Sequence, residues 1–146
     1  MVFRVGPEWL ALPTSVFQEV TEHGRVHSIP HQRRGILAGL VNIGGELLIC
    51  VSLERLLALG QALPGIPPRN VYPRLLVVNG DGRRVVFAVD EVQGIHRFDP
   101  AQLGPPPATL TRSAKTLTEG VFSWRDISVG LLNADQLFGV LNENLE

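Results

Sequence analysis

The most informative pattern of apolar and polar positions lies between Gly39 and Leu57, reading GLVNIGGELLICVSLERLL. A loop punctuated by glycines leads into the nearly unbroken apolar run ELLICV, and a short helical pattern follows it. Polar groups are few, and the segment has no acid/base pair and no lysine that could cradle a phosphate. The pattern therefore favours a module that binds a partner over one that catalyses a reaction.

Short apolar runs recur along the chain and are separated by turn residues, which is typical of antiparallel strands. The clearest hairpin is predicted from residue 74 to residue 90. Its turn at 79–82 reads NGDG and supplies the positive-φ residues that a tight connection requires. Within the second strand, Val85, Phe87 and Val89 alternate with the residues between them and define one face.

Two stretches rich in proline, PGIPPRN at 64–70 and GPPPATL at 104–110, cannot lie inside a sheet because proline lacks a backbone donor. They are predicted to be surface connections and are candidate joints between two halves of the molecule.

A weak internal repeat supports two halves. Residues 46–57 and 127–138 each read as an apolar strand followed by a short helix, with Ser52 and Asn133 as the predicted N-caps. Gln136 lies three residues after Asn133, the spacing of a capping box. Chance similarity between two short segments is the alternative.

The length, charge and cysteine content of the chain limit the classes of partner and the compartment that it suits. A chain of 146 residues suits one domain or two small subdomains and can bury about 70% of its unfolded surface. The net charge of -1 lacks the basic excess that binding to nucleic acid requires. The chain has one cysteine, no signal-peptide pattern and no apolar run near the roughly 20 residues that a membrane span needs. These features predict a cytoplasmic protein without direct membrane insertion.

The best candidates for a metal site are His23, His27 and His31, which are spaced by four. Glycine, serine and proline interrupt a helix there, and in a strand residues four apart lie about 13 Å apart. That separation is too large for ligands of one zinc ion, so exposed histidines are predicted. His96 has no cluster of ligands around it and is predicted to be a surface residue.

No catalytic group or cofactor is predicted either. The apolar neighbours of Cys50 predict a buried side chain with a raised thiol pKa instead of a nucleophile. Asp90 and Glu91 are adjacent in a strand and should point to opposite faces, so they do not form a dyad. The glycines at 35, 39, 44 and 45 fit neither a phosphate-binding loop nor a dinucleotide fingerprint.

The segments Ile29-Pro30, GILAGLVN at 35–42, Gly45 and VSLERLL resemble the signature of the CheW-like chemotaxis coupling proteins. The opening strands, RRVVFAVDEVQGI and FDPAQLGPPP are also similar to that family, so the resemblance covers nearly the whole chain. It implies a mainly β fold of two packed, five-stranded SH3-like β-barrel subdomains with short helices. Residues 1–146 would form one such domain.

The resemblance also implies a non-catalytic signalling adaptor in chemotaxis or surface sensing. It would couple the cytoplasmic tip of a methyl-accepting chemoreceptor to the regulatory domain of a CheA-type histidine kinase, and would be recruited to membrane receptor arrays. The family's receptor-binding groove lies between the two barrels and maps onto Phe17, Glu19, Gly39, Asn42 and Gly44. Structural roles are the alternatives: Phe17 as core, Gly39 in a positive-φ turn, and Asn42 capping its own backbone.

The kinase-binding surface implied by the family is an exposed strand region of one barrel, which maps onto Val20, Glu22 and Val26. Exposed valines flanked by charge could equally protect an edge strand against aggregation.

One departure from the family pattern stands at 42–45, where NIGG replaces the usual NlRG, so that Gly44 takes the place of an arginine. In the family that arginine pairs with an acid that corresponds to Glu19. We therefore expect Glu19 to be solvated or to be reached by Arg33 or Arg34, because a buried unpaired carboxylate costs several kcal/mol. Altered receptor or kinase choice is the resulting hypothesis.

Two other readings remain open. One is a small-ligand-binding β-barrel in which Trp9, Trp124 and other aromatic residues line a pocket, and the other is a CheW-like scaffold that serves a different partner. An enzyme would need a cleft with a perturbed acid, base or thiol, which the sequence does not show.

Overall fold

The computed structural model describes residues 1–22, 24–25, 36–58, 71–72, 74–108 and 112–145. His23, His27 and His31, both arginines at 33 and 34, Val26, and the proline-rich stretch 64–70 lie outside the described residues, so the predictions made for them are not tested.

The described chain is mainly β. Its strands are β1 (Val2–Val5), β2 (Glu8–Ala11), β3 (Phe17–Thr21), β4 (Gly24–Arg25), β5 (Leu37–Ile43), β6 (Glu46–Val51), β7 (Val71–Tyr72), β8 (Arg74–Gly80), β9 (Arg83–Val89), β10 (Glu91–Gly94), β11 (Thr118–Trp124) and β12 (Ile127–Leu132). Its helices are α1 (Leu53–Leu56), a 3-10 turn (Pro100–Gln102), α2 (Arg112–Leu117) and α3 (Ala134–Leu145).

The strands form two five-stranded sheets, as the family resemblance predicted. The first sheet has the order β10-β1-β2-β12-β11 and the second has the order β3-β8-β9-β6-β5, while β4 and β7 form a two-stranded ribbon. In each sheet one neighbouring pair is parallel, β2 with β12 and β6 with β9, and the other pairs are antiparallel. The two sheets therefore share one topology, and the described strands leave each sheet open at its edges.

The two sheets are interleaved along the sequence. The hairpin β1–β2 lies in the first sheet, but β3, β5 and β6 lie in the second; β8–β9 lies in the second, but β10, β11 and β12 return to the first. Each sheet thus combines a hairpin from one part of the chain with three strands from the other.

The chain crosses between the sheets at residues 12–16 and at Asp90. The described residues of the second proline-rich stretch, 104–108, are therefore not the predicted joint between two halves. They follow the 3-10 turn and stay with the first sheet. There Gly104 exchanges two backbone hydrogen bonds with Val121 of β11, at 2.7 and 2.9 Å. A glycine ahead of the three prolines retains the N–H that this pairing needs.

The main core lies between the sheets and includes Phe3 and Leu10 from the first sheet, Leu76 and Phe87 from the second, and Phe138 from α3. Each sheet carries a smaller apolar cluster on its other face. Central strands are therefore covered on both sides.

The hairpin predicted at 74–90 is confirmed, with Asp81 and Gly82 at φ values of 53° and 73° in its turn. Val85, Phe87 and Val89 share the main core as predicted. The residues between them, Val86 and Ala88, are also buried, in the cluster on the opposite face. Alternation in the sequence correctly grouped the residues by face but could not show that both faces are covered.

The internal repeat is confirmed, since both predicted N-caps form. The Ser52 hydroxyl accepts a hydrogen bond from the Arg55 N–H at 3.3 Å, and Asn133 Oδ1 accepts one from the Gln136 N–H at 3.0 Å. In a capping box the Gln136 side chain would accept a hydrogen bond from the Asn133 N–H. Here that N–H donates instead to the Leu117 carbonyl at 2.8 Å. The equivalent bond in the other repeat joins the Ser52 N–H to the Ile36 carbonyl at 2.7 Å.

Cys50 is buried in the cluster on the outer face of the second sheet, as its neighbours predicted. Burial raises the pKa of its thiol to about 12, although a backbone hydrogen bond involving Ala88 acts in the opposite direction. A thiol in this state stays protonated at neutral pH and is a poor nucleophile.

The raised pKa of Cys50 predicts a specific loss of stability in alkali. From the thiol's ordinary value of 9.0 to about 12, the folded state keeps the proton and the unfolded chain releases it. The unfolded state then binds fewer protons, so stability falls by about 1.4 kcal/mol per pH unit across this window. We expect wild type to lose roughly 2 kcal/mol more than Cys50→Ala between pH 9 and pH 10.5 in urea unfolding. Equal losses in the two proteins would contradict the assignment.

Candidate functional site

The turn that joins β5 to β6 carries two of the residues predicted to bind a receptor. Gly44 and Gly45 have φ values of 60° and 89°, which only glycine adopts readily. Asn42 Oδ1 accepts a hydrogen bond from the Gly45 N–H at 2.9 Å. The amide of Asn42 therefore holds the turn in shape, while both glycines remain exposed.

Gly39 lies within β5 and is buried. Its φ of 154° is a conformation that strongly favours glycine, and the pairing register between β5 and β6 shifts between Leu37 and Gly39. The glycine thus accommodates an irregularity in the ladder. The alternative role predicted for it is a positive-φ turn; its φ is positive, but it lies within a strand and not in a turn.

Phe17 and Glu19 lie on β3, at the edge of the second sheet opposite to β5. Phe17 is half-buried and packs against the main core, whereas Glu19 is exposed. The five predicted receptor-binding residues therefore form two groups, one on each edge strand of the same sheet.

Arg84 of β9 connects these two groups. Its Nε donates to Gln18 Oε1 at 2.9 Å, its Nη2 lies 3.8 Å from Glu19 Oε1, and its Nη1 pairs with the Glu46 carboxylate beside the glycine turn. The Glu19 side chain is 47% exposed. This agrees with the expectation that Glu19 is solvated, which was one of the two outcomes predicted for it. Its cationic neighbour Arg84 was not foreseen, because the register of three strands brings it there.

We use the name boundary patch for four half-buried apolar side chains, Val16, Phe17, Val20 and Val92. All pack against the core between the sheets and remain partly open to solvent. β3 and β10, which carry three of them, are edge strands of the second and first sheet respectively. Both sheets therefore contribute to this patch.

Sequence reasoning missed two exposed apolar residues. Leu47 on β6 is 64% exposed and Ile95, directly after β10, is 61% exposed. Leu47 belongs to the apolar run ELLICV, which resembles a core strand, so no pattern in the sequence indicated its exposure. Leu47 pairs with Asn42 across the β5–β6 ladder and so lies beside the glycine turn.

Of the residues predicted to face the kinase, Val20 is half-buried on β3 and Glu22 is exposed immediately after it. β3 is an edge strand, which fits a surface for pairing with another sheet. Val20 contributes to the boundary patch and to the main core, so it is not a fully exposed valine.

Asp90 and Glu91 have structural partners. Asp90 Oδ2 accepts a hydrogen bond from the Gly6 N–H at 2.7 Å, and Glu91 Oε2 lies 3.1 Å from Arg4 Nε. The two carboxylates thus fix β1 and its turn against β10. Among the described residues, no group of three histidine, cysteine or acidic side chains could hold a metal ion.

His96 differs from its prediction as a simple surface residue. It is half-buried, its Nε2 lies 3.2 Å from the Gln93 carbonyl, and its ring centroid lies 4.6 Å from that of Trp124. Trp124 in turn lies 6.0 Å from Trp9, and the Arg125 guanidinium is 4.9 Å from the Trp124 ring. Trp124 therefore contacts both Trp9 and His96 on the first sheet's side of the molecule.

With this geometry in view, comparisons with known proteins agree on the class of protein. The model of the CheW-like domain matches residues 1–142, and the chain belongs to this family. The family is a non-catalytic scaffold family of chemotaxis signalling. The fold is similar to that of the scaffolding protein TtCheW from Thermoanaerobacter tengcongensis, with a TM-score of 0.71 and 20% identity over 91% of this chain and 82% of that one. The search of curated proteins gave no match.

No helix among the described residues is long and apolar enough to cross a membrane.

Proposed function

We propose that this protein is an adaptor that couples the cytoplasmic tip of a chemoreceptor to the regulatory domain of a CheA-type histidine kinase. The observation that carries the proposal is the match of the CheW-like domain to residues 1–142. Residues 1–146 act as one such domain, and the adaptor is cytoplasmic and joins membrane receptor arrays through its partners. Since the family is non-catalytic, the protein acts by assembling receptor and kinase into one complex.

Receptor binding is assigned to the boundary patch around Phe17. A half-buried aromatic side chain that is backed by the core is preorganised, so it offers apolar contact at little entropic cost. Glu19, Arg84 and Glu46 form a charged cluster on the same sheet, on the face opposite to Phe17. Exposed charges of this kind steer the encounter and select partners more than they add affinity.

Asn42, Gly39 and Gly44 form the second part of the proposed receptor site, on β5 and the turn that follows it, at the other edge of the sheet. Asn42 and Gly44 shape the turn, and Gly39 accommodates the irregularity in β5. The open space beside the Gly44 α-carbon, with no heavy atom within 4 Å of an added Cβ, lets a receptor helix approach the backbone closely.

Kinase binding is assigned to the end of β3 and the residues after it, with Val20, Glu22 and Val26 as the predicted contacts. An edge strand has unpaired backbone groups that can pair with a strand of another barrel.

The first test is recovery of partners from the protein's own cytoplasmic and membrane extracts with a tagged copy, followed by mass spectrometry. We expect a chemoreceptor and a CheA-type kinase to be recovered with the tagged protein. Recovery of neither by correctly folded protein would contradict the proposal and would favour a scaffold that serves another partner.

The glycine at position 44 gives a prediction about partner choice. Gly44→Arg restores the charge that is usual in the family, and we expect severalfold tighter binding to the tip of a standard chemoreceptor. Because Gly44 has a φ of 60°, which arginine adopts only with strain, the variant should also lose about 1 kcal/mol of stability. Affinity is measured by calorimetry at two salt concentrations.

Gly6→Arg is the matched control. Gly6 has a φ of 57° and no heavy atom within 4 Å of an added Cβ, so it introduces the same charge and backbone strain in the first sheet. Unchanged receptor affinity in Gly44→Arg, or an equal gain in Gly6→Arg, would refute a role for this position in partner choice.

A further inference from the structure

A groove of about 470 Å³ lies beside the first sheet, between the residues that cross to the second sheet and the segment that follows β10. Residues 11–15 form one wall and residues 96–98 form the other. Its volume falls within the range of roughly 300–1,000 Å³ that is typical of small-molecule sites. It does not include Phe17, Asn42 or any other residue assigned to receptor or kinase.

The floor of the groove is apolar and well packed. Met1, Leu12, Phe122 and Leu131 are buried, and Phe98 is half-buried. The rings of Phe98 and Phe122 stack on each other with centroids 4.4 Å apart and planes 5° apart. These two rings are already paired, and the aliphatic side chains supply the remaining surface, which suits a flexible hydrocarbon body.

The rim is polar. Thr14, Ser15 and Arg97 line the groove and are exposed, so two hydroxyl groups and a guanidinium stand at its mouth. In the part of the chain that the structure describes, Arg97 has neither an ion pair nor a hydrogen bond to its side chain. Its five N–H donors are therefore available to a ligand.

The charge of the lining has one sign. Its titratable groups are all bases, the Met1 amine, His96 and Arg97, and the described lining residues include no aspartate or glutamate. The Met1 amine already donates to the Leu12 carbonyl at 3.0 Å. His96 Nε2 donates to the Gln93 carbonyl, since a carbonyl oxygen can only accept. Arg97 is the exposed one of these three bases, so it can reach an anion at the mouth of the groove.

We propose that this groove binds a small aliphatic monocarboxylate. The hydrocarbon chain lies on the floor formed by Met1, Leu12 and Leu131, and the carboxylate accepts hydrogen bonds from Arg97 and from the hydroxyl groups of Thr14 and Ser15. Guanidinium matches a carboxylate in a two-point hydrogen-bonded pair, which fixes the end of the ligand at the mouth.

Trp9 and Trp124, which the sequence suggested as pocket lining, do not line this groove. They support it from outside, because Trp124 packs against His96 in the second wall. The aromatic contact holds the first residue of that wall in place, so the mouth is formed before a ligand arrives.

The test is a calorimetric titration of the purified full chain with octanoate, octanol and octylamine, together with amide NMR shifts. We expect saturable binding of octanoate, roughly tenfold weaker binding of octylamine, and shifts centred on residues 11–15 and 96–98. Absence of saturable octanoate binding, or equal binding of the amine, would overturn the proposal. No receptor or kinase is present, so the result is independent of the proposed coupling function.

Two charge-removing variants locate the carboxylate. Arg97→Gln should weaken octanoate roughly fivefold and leave octanol unchanged. Lys115→Gln removes a charge from an exposed position on α2 and should change neither ligand. Octanoate affinity that is unaltered in Arg97→Gln, or lowered equally in both variants, would refute the assignment of Arg97.

Discussion

Replacing Phe138 with alanine is expected to lower the free energy of unfolding by about 3–5 kcal/mol. Phe138 is 2% exposed and lies on α3, where it packs into the core that both sheets share. Truncation removes buried surface and leaves a cavity that strands of two sheets cannot easily fill. Urea unfolding followed by circular dichroism measures the loss. Phe98→Ala, at a half-buried ring on the outer face of the first sheet, should cost clearly less.

A double-mutant cycle with Gly80 tests the packing of this ring. A Cβ added at Gly80 would lie 2.5 Å from the Phe138 ring, so Gly80→Ala alone should cost about 1–3 kcal/mol through overpacking. In the Phe138→Ala background that collision is absent, and the same change should be nearly neutral. Additive losses would show that Phe138 does not pack on the β8–β9 hairpin.

The second large effect is expected on receptor binding. Phe17→Ser should weaken binding to the chemoreceptor tip roughly 30-fold, because a partly exposed aromatic side chain backed by the core has the properties of a hot spot. Surface-coupled or calorimetric binding to a purified receptor tip gives the affinity, and Phe17→Leu should retain most of it. The expectation rests on the proposed function.

Phe98→Ser controls for general damage to the fold. It removes another half-buried phenylalanine, from the first sheet and away from the boundary patch. Equal weakening by Phe17→Ser and Phe98→Ser would show that stability alone is responsible. A folded Phe17→Ser protein that binds like wild type would move the receptor site away from β3.

The interaction site could be predicted only in part. The Asn42 side chain and the following glycines form the turn that their residue types suggest, since a short amide and positive φ act within four residues. The partner of Glu19 could not be predicted, because Arg84 reaches it only through the pairing of β3 with β8 and of β8 with β9. Arg33 and Arg34, the two cations predicted as possible partners, lie outside the described residues.

Contacts between the aromatic residues could not be predicted from the sequence either. Trp9, His96 and Trp124 lie far apart in the sequence but contact one another on the first sheet. The groove beside them is built from residues 11–15 and 96–98, two segments with no local signal of a pocket. Which apolar side chains face a groove depends on how the strands are ordered.

Elements whose causes are local could be predicted from the amino-acid sequence. It predicted the 74–90 hairpin from its turn, the caps at Ser52 and Asn133 from their side-chain oxygens, and the burial of Cys50 from its neighbours. Such features depend on φ preferences and on hydrogen bonds between residues a few positions apart.

The way in which the two repeats combine depends on long-range packing. β1–β2 completes the sheet built from β10, β11 and β12, while β8–β9 completes the one built from β3, β5 and β6. Strand order depends on burying both faces of the central strands at once, which no local preference specifies. That exchange places Phe17 against a core shared by both sheets, and it sets Arg84 between Glu19 and Glu46.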